Sequence, residues 1–225
     1  MGLMALGFFI QDSARAETAI FLEPGLSYAS GTFTQERSGA TLGTAEEAID
    51  SSGVGFKLLS GVRWSDLFTG IEFQGGKFDY QPDLDRTGES SWMFLGLPFG
   101  YWNPEFPIAI SASYGFMSRY RLRAIPGTTR LYKGSALKLG IALRFRPFSY
   151  SMPKIGIHIE RIFMFLGSAR GLDGTSQERD HPATIGNPPI TYNTPQFSIW
   201  QISLTIPFDV YVDEDTGPGS TSDSG

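Results

Sequence analysis

The stretch Ser135 to Pro147, reading S-A-L-K-L-G-I-A-L-R-F-R-P, constrains the fold more than any other part of this chain. Leu137, Leu139, Ile141, Leu143 and Phe145 fall on one parity; Lys138, Gly140, Ala142, Arg144 and Arg146 fall on the other. Successive side chains of a strand point to opposite faces, so the segment is predicted to be a strand with one continuous large apolar face and one small or charged face. In a soluble sheet the apolar face packs on a core and the other meets water. In a membrane barrel the apolar face meets lipid and the small or charged face meets the lumen. The rest of the chain has to choose between the two.

Composition leans toward the second. Aromatic residues make up 14% of the chain and glycine occurs 27 times, while charged residues are held to 18%. Membrane barrels use aromatics at the bilayer interfaces and glycine in crowded interiors. No run of about 18 apolar residues appears, so no transmembrane helix is expected. The absence of cysteine excludes disulfides and thiolate metal sites, and only His158 and His181 offer imidazole chemistry. A net charge of −5 argues against a nucleic-acid surface.

Along the chain, residues 1–16 carry an apolar run, Leu3 to Ile10, and a small-x-small site at Ala14-Arg15-Ala16. They read as a signal peptide, although no Lys or Arg precedes the apolar run. Residues 17–208 then hold eight predicted strands: Ala19–Phe33, Val54–Trp64, Leu67–Tyr80, Ser91–Trp102, Pro107–Leu122, Ser135–Pro147, Lys154–Leu166 and Gln196–Phe208. Pro98 lacks a ladder donor and predicts a bulge or break. The phase of the seventh strand is lost at Arg161, where a bulge would re-aim its apolar face. Residues 209–225 form an acidic, Gly/Ser-rich tail, expected to be disordered. The connections alternate. Thr34–Gly53, Gln81–Ser90, Arg123–Gly134 and Gly167–Pro195 read as long loops, and the other three are short. Membrane barrels place short turns on the periplasmic side and longer loops outside.

On these residues the chain resembles the small eight-stranded bacterial outer-membrane β-barrels, the class of the OmpA transmembrane domain, OmpX and OmpW. The resemblance covers Ala19 to Phe208 and rests on pattern and loop rhythm. Its last strand, Q-I-S-L-T-I-P-F, is similar to the C-terminal signal of such barrels, departing from it in Pro207 and in the tail beyond Phe208. The resemblance implies an all-β, eight-stranded antiparallel up-and-down transmembrane barrel in the outer membrane, with both termini periplasmic. It also implies transient partners, the periplasmic chaperones and the barrel assembly machinery, alongside the outer-membrane lipids and lipopolysaccharide. A monomer is expected.

The inward parity holds Glu23, Lys57, Arg63, Glu72, Lys138, Arg144, His158 and Glu160. An eight-stranded barrel is just wide enough for side chains to fill it, so these charges are expected to pair in a plugged lumen. His158 and Glu160 share a face, which is half of a hydrolytic set, yet no nucleophile motif accompanies them. No enzyme, cofactor or metal site is expected, and His181 reads as a loop histidine. The aromatics Tyr28, Trp64, Phe68, Trp92, Tyr101, Trp102, Phe106, Tyr114, Tyr120, Phe145, Tyr150 and Phe208 are expected to form interfacial girdles. Arg123, Arg130 and Lys133 make the third loop basic, fit for lipopolysaccharide phosphates. The expected role is membrane anchoring and display of surface loops. Two readings stand beside it: a narrow channel or carrier, favouring anions because bases outnumber acids on the inward parity, and a soluble lipocalin-like barrel with the apolar parity pointing inward.

Overall fold

The computed structural model describes residues 18–39, 43–83, 86–103, 106–125, 128–145, 153–167, 170–172, 178–180, 184–185, 190–192 and 195–212. The wall is built from β1 (Thr18–Gly39), β2 (Gly43–Trp64), β3 (Leu67–Asp83), β4 (Arg86–Trp102), β5 (Ile108–Ile125), β6 (Thr128–Phe145) and β7 (Ile155–Leu166). Four short strands follow: β8 (Arg170–Leu172), β9 (Glu178–Asp180), β10 (Thr184–Ile185) and β11 (Ile190–Tyr192). The eighth wall strand is β12 (Gln196–Thr205), continued by β13 (Phe208–Val212). Each wall strand pairs antiparallel with its neighbours, and β1 pairs with both β2 and β12, so the sheet closes. The fold is a closed eight-stranded antiparallel up-and-down barrel. Closure leaves no edge in the wall.

The seam between first and last strands holds two prolines. Gly25–Thr34 pair with Gln196–Thr205, and Thr18–Leu22 pair with Phe208–Val212. Pro24 and Pro207 sit in the gap. A proline gives the ladder no donor, and the joint is bridged by the Ile206 N–H, which donates to the Pro24 carbonyl at 2.9 Å. The wall therefore extends past Phe208, so residues 209–212, expected in the tail, are strand. Residues 1–16 and 213–225 lie outside the described residues.

Three expected loops are largely strand. β1 and β2 stay paired up to Gly39 opposite Gly43, through most of Thr34–Gly53. β3 and β4 reach Asp83 and Arg86, and β5 and β6 reach Ile125 and Thr128. Most positions of these extensions are polar or small, with Ile49, Leu131 and Tyr132 among the exceptions, so side-chain alternation fades while main-chain pairing continues, since the ladder itself uses only backbone groups. Pro98 causes no bulge but does mark the local break that its missing donor predicts. It pairs in register with Ser113, while the β3–β4 ladder skips the positions of Gly70 and Ile71 and resumes unshifted, passing from Thr69–Phe99 to Glu72–Gly96. The bulge lies on β5 instead, between Gly115 and Ser118, where Phe116 and Met117 are both exposed. Arg161 is not bulged either; β7 keeps one register with β6 and with β12. The apparent phase loss has another cause. Ile162, Met164 and Leu166 face inward because the interior is apolar at that level.

Parity separates the two faces of the wall. Ile20, Leu22, Leu26 and Tyr28 on β1, Val54, Phe56, Leu58 and Trp64 on β2, and Leu137, Leu139, Ile141, Leu143 and Phe145 on β6 are exposed. Their neighbours Phe21, Glu23, Ser27, Lys57, Leu59, Arg63, Lys138, Ala142 and Arg144 are buried. The same alternation runs along every wall strand. The apolar parity points outward, which removes the lipocalin-like arrangement.

Candidate functional site

The described interior is layered. At the end that holds Thr18 and Val212, Phe21, Leu59, Phe68, Trp102, Ala109 and Ala142 form an apolar layer. Phe21 meets Phe68 and Trp102 edge to face, with centroids 5.7 and 6.0 Å apart. At the opposite end a larger layer gathers Phe33, Phe78, Trp92, Phe94, Tyr120, Tyr132, Ile162, Met164 and Phe197, among others. Phe197 lies 4.3 Å from Tyr120 and 6.2 Å from Phe33, measured between ring centroids. Polar and charged side chains fill the layer between.

Seven of the eight predicted lumen residues meet in that middle layer, in two linked groups. In the first, Lys138 Nζ donates to Glu160 Oε1 at 2.6 Å and also to Glu72 Oε1. Lys57 Nζ reaches the same Glu160 oxygen at 2.6 Å and Glu72 at 3.4 Å. Gln74 Nε2 donates to Glu72 at 2.5 Å and to Glu160 at 3.1 Å, and Ser113 Oγ donates to Glu72 Oε2 at 2.9 Å. Two ammonium groups thus face two carboxylates, and every charge is buried. In the second group Arg144 Nη2 donates to Glu23 Oε2 at 2.5 Å. Thr205 Oγ1 and His158 Nε2 both reach Glu23 Oε1 at 2.5 Å. His158 joins the groups, because its Nδ1 lies 2.9 Å from Lys57 Nζ. Buried charges are tolerable only when paired and hydrogen-bonded, and this arrangement meets that condition.

Arg63 stands apart. It is buried in the first apolar layer, with its guanidinium 5.3 Å from the Trp102 ring and Nη1 donating to the Ser65 carbonyl at 2.9 Å. Arg144 covers the same ring at 3.8 Å. Its buried Nη1 has no hydrogen-bond partner, and the π face of Trp102 supplies part of the compensation. With Arg63 elsewhere, Lys57, Lys138 and Arg144 balance Glu23, Glu72 and Glu160, so the excess of bases counted along the chain is absent from this layer.

Gln74, Ser113 and Thr205 complete the network, and sequence reading left them out. All lie on the inward parity, which is the signal that could have found them. Glycines make the room. A Cβ on Gly156 would fall 2.3 Å from Thr205 Oγ1 and 2.7 Å from Glu23 Oε1. One on Gly115 would fall 2.5 Å from the Phe94 ring. A cavity of about 10 Å³ remains beside Lys57, Glu72, Lys138, Arg144 and His158, at the lower bound for one water molecule.

The expected girdle divides. Tyr28, Trp64, Tyr101, Phe106, Tyr114, Phe145 and Phe208 are exposed on the outer surface. Phe68, Trp92, Trp102 and Tyr120 are buried and belong to the interior layers, a correction that follows from their parity. Tyr150 and His181 lie outside the described residues. Phe99, Phe165 and Trp200 are further outward aromatics.

No protein-family model and no curated protein matches this chain. Among solved structures it is similar to Neisserial surface protein A, at 11% identity over 81% of this chain and 97% of that one, TM-score 0.41. It is likewise similar to Ail, the attachment invasion locus protein of Yersinia pestis, solved with the heparin analogue sucrose octasulfate (14% identity, 83% and 99% coverage, TM-score 0.39). A third is the outer membrane protease OmpT from Escherichia coli, at 10% identity, 85% and 97% coverage and TM-score 0.39.

Proposed function

We propose that the chain is an integral outer-membrane β-barrel that anchors β-hairpins at the cell surface, with both ends of the described chain on the periplasmic side and an interior closed to solutes. One observation carries the reading: the outer surface is an apolar belt on all eight wall strands, while the charges at that level, Arg161 apart, lie inside. Leu137 to Phe145 on β6 and Val54 to Trp64 on β2 match the roughly 9–11 residues a tilted strand needs to cross hydrocarbon. A water-soluble protein rarely exposes apolar patches beyond a few hundred Å², and lipid is the medium that such a belt fits. A closed barrel satisfies every wall amide internally, as a lipid environment demands.

The filled interior favours anchoring over conduction. Two apolar layers bracket a charge-balanced one, so an ion would have to displace packed aromatic side chains at both ends. His158 has both ring nitrogens engaged, by Lys57 and by Glu23. A buried imidazole spent in this way is a structural group, which supports a non-enzymatic role.

Fractionation of expressing cells tests the location. The full chain is expected in outer membranes, with a gel band whose mobility shifts on boiling; recovery in the detergent-free soluble fraction would overturn the reading. Planar bilayers test the closed interior: purified barrel should leave the membrane electrically quiet, and steady unit currents would favour a channel.

A further inference from the structure

Above the apolar belt, at the end away from Thr18, the outward parity turns basic on three strands, β3, β5 and β6, with the neutral Ser91 of β4 between the first two. Lys77 on β3 pairs with Ser91 on β4, and Ser91 pairs with Arg121 on β5. One outward step lower, Arg119 on β5 pairs with Lys133 on β6. Lys77, Arg119 and Arg121 are exposed, and among the described residues none has an ion-pair or hydrogen-bond partner for its side chain. They stand one or two outward steps past the last large apolar residues on the outer face of their strands, Phe73 on β3 and Met117 on β5. The nearest outward acids, Asp79 and Glu89, lie one step farther out, where Glu89 pairs across from Arg123. The opposite rim differs. Among the described residues that rim carries Asp66, which accepts from the exposed Tyr101 hydroxyl at 3.0 Å, and the inward-parity Asp209, which lies 3.3 Å from Lys154.

Resting on the membrane reading, we infer that Lys77, Arg119, Arg121 and Lys133 form a docking row for the phosphate groups of anionic lipids in the leaflet on the hairpin side. The row stands at headgroup depth because it begins where the belt ends. Cations on long stems can reach the phosphate plane while their methylenes stay on the apolar border. Arg fits phosphate through paired donors in a fixed fork, and Lys77, Arg119 and Arg121 need no exchange of partners to bind it. Arg161 on β7 extends the same logic from inside the belt. Its guanidinium lies 4.6 Å from the Trp200 ring and donates to Ser198 Oγ at 3.0 Å. That bond draws it toward the basic rim.

The test measures lipid selectivity at the barrel perimeter. The full chain is reconstituted in phosphatidylcholine vesicles, and electron spin resonance compares the immobilised fractions of spin-labelled phosphatidic acid and spin-labelled phosphatidylcholine. At low salt the barrel should hold the phosphate-monoester probe well over tenfold more strongly, three free cations each contributing about fivefold. In the triple variant K77Q/R119Q/R121Q the preference should fall by at least about tenfold at low salt, from about fivefold per cation, while K154Q at the other rim should leave it unchanged. Equal retention of both probes, an undiminished preference in the triple variant, or an equal loss in K154Q would overturn the inference. Failure of the membrane reading looks different, because neither probe would then show an immobilised fraction.

Discussion

His158 Nε2 and Glu23 Oε1 lie 2.5 Å apart across 135 positions of sequence. The two residues stand on β7 and β1, and β12 runs between them, so the contact spans the seam where the barrel closes. Its polarity follows from the other ring nitrogen. Lys57 can only donate, so His158 Nδ1 accepts and the proton sits on Nε2, which donates to Glu23. Glu23 thereby takes donors from His158, Arg144 and Thr205.

That convergence ranks two substitutions. Glu23→Ala strands a buried guanidinium and is expected to cost about 3–5 kcal/mol. His158→Ala removes one donor and keeps the Arg144–Glu23 pair, for about 1–3 kcal/mol. Urea titrations of the barrel folded in vesicles read both, and a smaller loss for Glu23→Ala than for His158→Ala would contradict the assignment.

In the neighbouring group, Lys57 and Lys138 share Glu72 and Glu160. Lys138→Met leaves two buried carboxylates with one ammonium and should destabilise by about 3–5 kcal/mol. The charge-balanced double variant Lys138→Met with Glu72→Gln should cost less than the sum of its parts, by at least about 1 kcal/mol. Strict additivity in the double-mutant cycle would show that the pair is not coupled.

Gly156 tests how tightly the layer is packed. An added methyl would overlap Thr205 Oγ1 and Glu23 Oε1, so Gly156→Ala should cost about 1–3 kcal/mol. The same unfolding assay applies. A neutral or stabilising effect would mean that the carboxylate can move aside freely.

Lipid exposure predicts a gradient along β6. Ile141, in the middle of its apolar run, should lose about 2–4 kcal/mol on substitution by Arg, whereas Ser135→Arg at the end of the run should cost about 0–1 kcal/mol. Refolding into vesicles measures both, and equal penalties would remove the depth assignment.

How far the chain spoke for itself depended on whether one face of a strand differed from the other. β6 declared itself because Leu137 to Phe145 alternates without a break, and it placed Lys138 and Arg144 inside with partners drawn from Glu23, Glu72 and Glu160. The three-dimensional pairing chose among those carboxylates, which no spacing along one strand encodes. Two features were hidden for opposite reasons. In the hairpin extension opposite Ala48 to Gly43 both faces are polar or small, so periodicity vanished while the ladder continued. Around Ile162 and Met164 both faces are apolar, so a regular strand looked out of phase. The second case also hid the interior aromatic layers: Trp92, Trp102, Phe68 and Tyr120 near strand ends look like girdle residues unless their parity is followed.

The four tryptophans give the most direct test of the inside-out barrel. Trp64 and Trp200 are 49% and 56% exposed on the outer wall, whereas Trp92 and Trp102 are 3% and 2% exposed in the interior. Single-tryptophan variants, with the other three replaced by Phe, are folded into vesicles of acyl-chain-brominated phosphatidylcholine and compared with unbrominated vesicles. The variants retaining Trp64 or Trp200 should lose most of their fluorescence, and those retaining Trp92 or Trp102 should keep most of it. Strong quenching of Trp92 and Trp102 with sparing of Trp64 and Trp200 would place the lipid on the wrong face and contradict the account.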